Sequence, residues 1–168
     1  MENEYLGCII DDRLSWQENI KKRINLARVA SLKISNLFYS NKVTLKNKMF
    51  IYNQIIRPMI IYASPAWIGA KPYILNKISS FENAVLRKIV GFSRYIPNDI
   101  IKTITASTPI NTFVMENARM YFEKQKEIKN TCIQESIDYD ETMIFEHPLP
   151  RNTIYQYSQN ISPHQQIP

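Results

Sequence analysis

Between Pro72 and Gly91 the apolar residues Ile74, Ile78, Phe81, Val85 and Ile89 recur at intervals of three and four. That spacing builds one side of an α-helix and cannot be laid along one face of a strand. Proline suits the first helical turn and glycine the position just past the last, so the segment carries its own start and stop. The same period recurs along the chain. Ile20, Ile24, Ala27, Ile34 and Phe38, flanked by Ala30 and Leu37, predict a helix from Ser15 to about Tyr39. Ser15 and Glu18 are spaced as a capping box for it. After the loop Ser40-Asn41-Lys42, Thr44 caps a second helix with Leu45, Met49, Tyr52 and Ile56 inside, which Pro58 ends or kinks. A short helix is expected from Asp99 to Thr105. After the break at Thr108-Pro109, a last one from about Thr112 to Lys129 buries Val114, Ala118, Tyr121, Phe122 and Ile128.

The fold expected is therefore mainly α. One exception is Tyr5–Ile10, YLGCII, which has β-forming residues and reads as a single short strand followed by the turn Asp11-Asp12-Arg13. A lone strand needs partners, and the helical remainder offers few. Beyond Asn130 the period is lost, and the segment ending HPLPRNTIYQYSQNISPHQQIP is expected to be a largely disordered tail. At 168 residues, with 45% apolar residues, one domain with a core of its own is the expectation.

Charge is distributed unevenly around the formal total of +6. From Arg13 to Arg57 there are ten Lys or Arg residues and one acid, Glu18. From Thr131 to Pro150 there are five acids, Glu135, Asp138, Asp140, Glu141 and Glu146, and no base. A basic body suits a polyanionic partner, or it is simply a solvated face; charge alone favours neither. On the first helix Lys21 and Arg28 share one direction, and Lys22 and Lys33 another. Lys and Arg on a stiff helix can track phosphates without reading bases. Tyr52, Tyr62, Trp67 and Phe81 lie in apolar runs and are expected in the core; Trp16 is expected to plug the start of the first helix.

Several classes of chemistry find no residues to work with. Gly7, Gly69 and Gly91 are the only glycines, too few and too scattered for a phosphate-binding loop. His147 and His164 both sit beside prolines in the tail, and no GxSxG is present. Cys8 and Cys132 lack metal-ligand spacing and read as a reduced, intracellular pair. MENEY is no signal peptide, and IIRPMIIYASPAWIGA is too short and broken to span a bilayer. No membrane partner is expected. Asp11 and Asp12 invite comparison with a polymerase metal pair, which needs carboxylates converging on hard cations. Neighbours in extended chain point opposite ways, so a turn ahead of a helix is the stronger expectation for them.

In order and spacing, YLGCIIDDRLSW, NKVTLKNKMFIYNQIIRPMIIYASPAW, KISSFENAVLRKIVG and IPNDIIKTI…TPI resemble the C-terminal part of jockey-like non-LTR retrotransposon reverse transcriptases. Tyr5, Leu6, Gly7, Asp11, Leu14, Ser15 and Trp16 carry the first motif. Arg57, Pro58, Tyr62, Ala63 and Trp67 carry the second, and Glu82, Asn83, Leu86, Arg87 and Ile89 the third. The resemblance covers roughly residues 5 to 150. It implies a palm-edge strand and turn over 1–14, a helical thumb- or connection-like domain over 15–130 and a tail over 131–168. It further implies a parent RNA-directed DNA polymerase whose catalytic palm and fingers lie upstream. Mg²⁺ is expected only for that complete enzyme, with no cofactor and no catalytic residue in this chain, which alone is expected to be inactive. The expected partners are the rest of the parent enzyme and an RNA–DNA hybrid or other duplex, held non-specifically by Lys21, Lys22, Arg28, Lys33, Lys42, Lys46 and Lys48. The alternative is a standalone basic helical domain that binds nucleic acid or protein without enzymatic work. The location implied is cytoplasmic or nuclear.

Overall fold

A computed structural model describes residues 2–128 of the chain. The expectations for the tail, Cys132, His147 and His164 fall outside them. The described part is mainly helical. Strands β1 (Glu2–Tyr5) and β2 (Cys8–Asp11) are followed by α1 (Gln17–Lys33), α2 (Ser35–Tyr39), α3 (Leu45–Ile51), a π-helical turn (Tyr52–Ile56) and α4 (Arg57–Ile61). Then come α5 (Ser64–Trp67), α6 (Pro72–Val90), α7 (Asn98–Thr105) and α8 (Ile110–Lys126). Contacts sort the described residues into two compact units, those up to Tyr62 with Ala70–Phe113, and Ala63–Gly69 with the described residues from Val114 onward.

In the first unit the expected single strand is a hairpin. Tyr5 pairs with Cys8 and Glu2 with Asp11 in an antiparallel ladder, so the partner strand comes from the polar residues ahead of the apolar run. Leu6 and Gly7 form the two-residue turn, with φ of 47° and 77°. Two positive φ values are the signature of the type I′ turn, whose twist matches that of the strands it joins. Gly7 fits this freely, whereas Leu6 adopts it against its own preference.

The start of α1 also differs from a capping box. Asp11 organises it: its carboxylate accepts from the Ser15 backbone N–H at 2.6 Å and from the Ser15 hydroxyl, whose oxygen lies 3.4 Å from the Gln17 N–H. Glu18 reaches Lys21 instead of turning back to Ser15. The helix expected to reach Tyr39 is interrupted at Ile34, where φ is −100° and ψ 8°, and the Ser35 hydroxyl bonds the Leu32 carbonyl. Ile20, Ile24, Ala27 and Phe38 are buried as the spacing requires, while Leu37 is exposed.

Thr44 caps α3 by accepting from the Asn47 N–H. Pro58 does not stop the chain from continuing as helix. The turn before it widens to π geometry, with the Arg57 N–H on the Tyr52 carbonyl five residues back. A wide turn gives the proline ring room and absorbs the hydrogen bond it cannot donate. Helix α6 runs from Pro72 in its first turn to Gly91, which caps it at φ 74°. Its buried line is Ile74, Ile78, Val85, Leu86 and Ile89. Around it pack α1, α2, α3 and α7. Burying Leu, Ile or Val contributes about 1.5–3 kcal/mol per side chain, and these lines make the core.

In the second unit Trp67, Ile68, Val114 and Ala118 are buried, and the Asn117 amide donates to the Ser64 hydroxyl at 3.2 Å. Of the other aromatics and aliphatics expected inside α8, Tyr121 is exposed and stacks edge-on with Phe122 at 5.3 Å; Ile128 lies beyond the helix.

Candidate nucleic-acid interface

Three buried ionic groups hold the first unit together, and each belongs to a motif quoted above or touches one. Arg23 on α1 donates to the Gly7 carbonyl and lies 4.3 Å from the centroid of the Tyr62 ring. The Tyr62 hydroxyl donates to the Leu6 carbonyl at 2.9 Å, so hairpin, α1 and the end of α4 meet at one guanidinium. Arg57 donates to the Thr108 carbonyl at 2.6 Å and stacks over Phe113 at 4.2 Å. Glu82, 1% exposed, accepts from the Tyr52 hydroxyl at 2.8 Å and from the Ile110 N–H at 3.0 Å. Burial and then the negative charge of Glu82 push the Tyr52 hydroxyl well above the ordinary tyrosine pKa. Arg87 does similar work at the surface, donating to the Ser93 and Ile96 carbonyls of the loop after α6. These charges act as ties between segments, and the charges open to solvent lie elsewhere.

Between α1 and α6 runs an open groove of about 850 Å³. The Tyr73 hydroxyl lies 3.4 Å from the Gln17 side-chain oxygen, so the N-terminal ends of the two helices stand side by side. The groove wall carries Lys21 and Arg28 from α1 and Lys77 and Lys88 from α6, with no Asp or Glu among its lining residues. Asn25, Asn76 and Ser80 add neutral hydrogen-bonding groups, and Phe81 contributes apolar surface. Lys21 is shared with Glu18 at 3.1 Å in an exposed pair, the kind worth at most about 1 kcal/mol. Arg28 bonds the neutral Asn25 side chain at 3.0 Å. Among the described residues Arg28, Lys77 and Lys88 make no ion pair. A concave surface lined by one sign of charge focuses its field outward and attracts anions. The Ser31 hydroxyl, also in the lining, is buried and has no hydrogen-bond partner among the described residues.

The seven cations named from sequence are thus divided. Lys21 and Arg28 enter the groove. Lys22 pairs with Glu4 at 2.6 Å, and Lys33 is exposed in the last turn of α1, outside the groove lining. Lys42 is exposed in the loop after α2, while Lys46 and Lys48 lie on α3, exposed and half-buried. Lys77 and Lys88 went unnoticed, although Lys77, Ser80, Ala84 and Lys88 follow the helical period on a different line from the buried residues. Their spacing was legible. Their nearness to Lys21 and Arg28 comes only from packing α1 on α6.

No group of three or more His, Cys, Asp or Glu side chains among the described residues could hold a metal ion. Asp11 is engaged by Ser15 with both carboxylate oxygens. The described residues do not fit a polymerase Mg²⁺ site. No described helix is long and apolar enough to cross a membrane.

Comparison with known proteins gives two similar sequences. The chain is 32% identical over 124 residues to the RNA-directed DNA polymerase from mobile element jockey of Drosophila funebris, a match spanning 73% of this chain. It is 24% identical over 128 residues to the probable RNA-directed DNA polymerase from transposon X-element of Drosophila melanogaster, spanning 76% of this chain. In both cases the match spans 14% of the curated relative's length. No family model matches the chain, and no solved structure does.

Proposed function

The chain is a relative of the RNA-directed DNA polymerases of mobile elements, and from that premise we propose that it acts as the thumb-like part of a non-LTR retrotransposon reverse transcriptase, holding the template–primer duplex by its phosphates. The single observation that carries this is the α1–α6 groove, where Lys21, Arg28, Lys77 and Lys88 gather without a carboxylate. Packed helices keep those cations at fixed spacing, and fixed cations neutralise phosphates without reading sequence. Lys22, Lys33, Lys42, Lys46 and Lys48 add charge to duplex passing outside the groove. RNA-templated DNA synthesis belongs, on this reading, to the whole enzyme. The described residues supply grip, and no chemical step is derived from them.

The test is binding of the full chain to an RNA–DNA hybrid across a salt series. Four neutralised phosphates give log K falling against log salt with a slope of about −3.6, from about 0.9 per contact. The variant K21Q/R28Q/K77Q/K88Q should lose most of the affinity and flatten the slope. The variant K42Q/K46Q/K48Q should keep the groove's share of both. Equal binding by the wild-type chain and the groove variant would refute the assignment.

A second reading has its own observation. Leu26, Val29 and Leu32 on α1 and Leu37 on α2 are exposed, as on a helical domain that binds protein. Salt-insensitive self-association without hybrid binding would favour it.

A further inference from the structure

Tyr73 is an exposed aromatic residue outside the quoted motifs, and it lies in the groove. It stands in the first turn of α6, 54% exposed, and its ring lines the same groove as the four cations. Lys77, one turn on, has its ammonium 5.8 Å from the ring centroid.

An exposed ring inside a cationic furrow with neutral amides has the parts of a single-strand site. Cations follow the backbone, the ring takes a base face, and amides meet base edges. We propose that the groove takes an unpaired strand continuing from the duplex, with one base stacked on Tyr73 and its neighbouring phosphates on Lys77 and Lys21. A phosphate beside Lys77 draws the ammonium off the ring and frees that face for the base. Asn76 and Asn25 lie within the same lining to meet the base edge. This inference rests on the nucleic-acid reading above and assigns it a preferred substrate, a duplex with a single-stranded extension.

The experiment compares a blunt RNA–DNA hybrid with the same hybrid bearing an extension of about six nucleotides, within the usual range of about 4–16 for single-strand sites. The full chain, Y73F and Y73L are each titrated. Stacking on one ring predicts that the extension tightens binding by a factor between about 5 and 150. Y73F keeps the gain, because the ring remains and only the contact with Gln17 is lost. Y73L loses the gain while binding the blunt hybrid as the wild-type chain does. Far-UV circular dichroism checks that both variants fold. If the blunt hybrid binds and the extension adds nothing, or Y73L keeps the gain, the Tyr73 site is overturned and the duplex grip stands. If neither nucleic acid binds the wild-type chain, both fall.

Discussion

Removing the Glu82 carboxylate should destabilise the first unit more than changing any surface charge. Glu82 is 1% exposed and satisfies two donors from distant parts of the chain, the Tyr52 hydroxyl and the Ile110 N–H that opens α8. In Glu82→Ala both donors are left buried without an acceptor. Each orphaned group costs about 1–3 kcal/mol, so the loss is about 2–6 kcal/mol. Set against the about 5–15 kcal/mol that holds a typical domain together, that is a large fraction. Glu82→Gln is the control that separates hydrogen bonding from volume. Its amide oxygen can accept from the Ile110 N–H, but its NH₂ leaves the buried Tyr52 hydroxyl proton without an acceptor. It should therefore cost about 1–3 kcal/mol, roughly half the loss in Glu82→Ala. Urea denaturation of the full chain, followed by far-UV circular dichroism at neutral pH, reads both. If Glu82→Ala and Glu82→Gln have the same midpoint, the two hydrogen bonds are not what the carboxylate contributes, and the argument fails.

Tyr52 gives a test in alkali. Burial, then Glu82, raise its folded-state pKa above 10.0, while Arg57 pulls weakly the other way. The unfolded chain releases this proton near pH 10 and the folded chain keeps it, so the stability it contributes is complete below pH 10 and is lost as the pH rises further. The slope is about 1.4 kcal/mol per pH unit; Tyr52→Phe should remove that increment from the alkaline limb, and an unchanged limb would contradict the assignment. Leu6→Asn places an αL-tolerant residue at a φ of 47° on a side chain 74% exposed. It should raise stability by about 0.5–1 kcal/mol, read as a higher thermal midpoint; a lowered one would count against the type I′ turn. Arg57→Met removes the donor to the Thr108 carbonyl and the cation over Phe113. It should cost about 2–4 kcal/mol in a urea titration, and a cost under about 0.5 kcal/mol, typical of a surface change, would show that Arg57 ties nothing.

The elements most legible in the sequence were those with both a period and punctuation. Helix α6 has five apolar residues at helical spacing, a proline in its first turn and a glycine at its end, and it formed where expected. Thr44 capped α3, and α7 begins one residue before its expected start. What escaped had no residue-type signal. Leucine argues against a positive φ, so YLGCII read as one strand when Leu6 and Gly7 turn the chain back. No Gly or Pro marks the interruption at Ile34. Pro58 carries a strong helix-ending signal, but the wide turn before it removes the conflict. Arg23, Arg57 and Glu82 are polar letters in a hydropathy pattern, and only tertiary packing reveals them as buried ties. The candidate interface was half legible for the same reason. Lys21 and Arg28 stand in the dense basic stretch, while Lys77 and Lys88 come from another helix and gain meaning only where it packs.

That division bears on what similarity to polymerases can say here. Residues that carry the family resemblance, Gly7, Arg57, Tyr62, Glu82 and Arg87, are engaged in turns, buried ties and loop anchors. Their contacts tie segments of this chain together, so they serve its fold. Of the groove cations, Lys21 and Arg28 lie outside the quoted stretches, while Lys77 and Lys88 fall inside KISSFENAVLRKIVG without being among the residues that carry its motif, and all four line the groove. A chain could retain every tie and lose the grip, or retain the grip with a few ties weakened. The two properties therefore need separate measurements. Glu82→Ala tests the ties through stability, and the groove variant tests the grip through its salt slope. A groove variant that folds as stably as the wild-type chain and still fails to bind would show that function lies in the residues the resemblance does not carry.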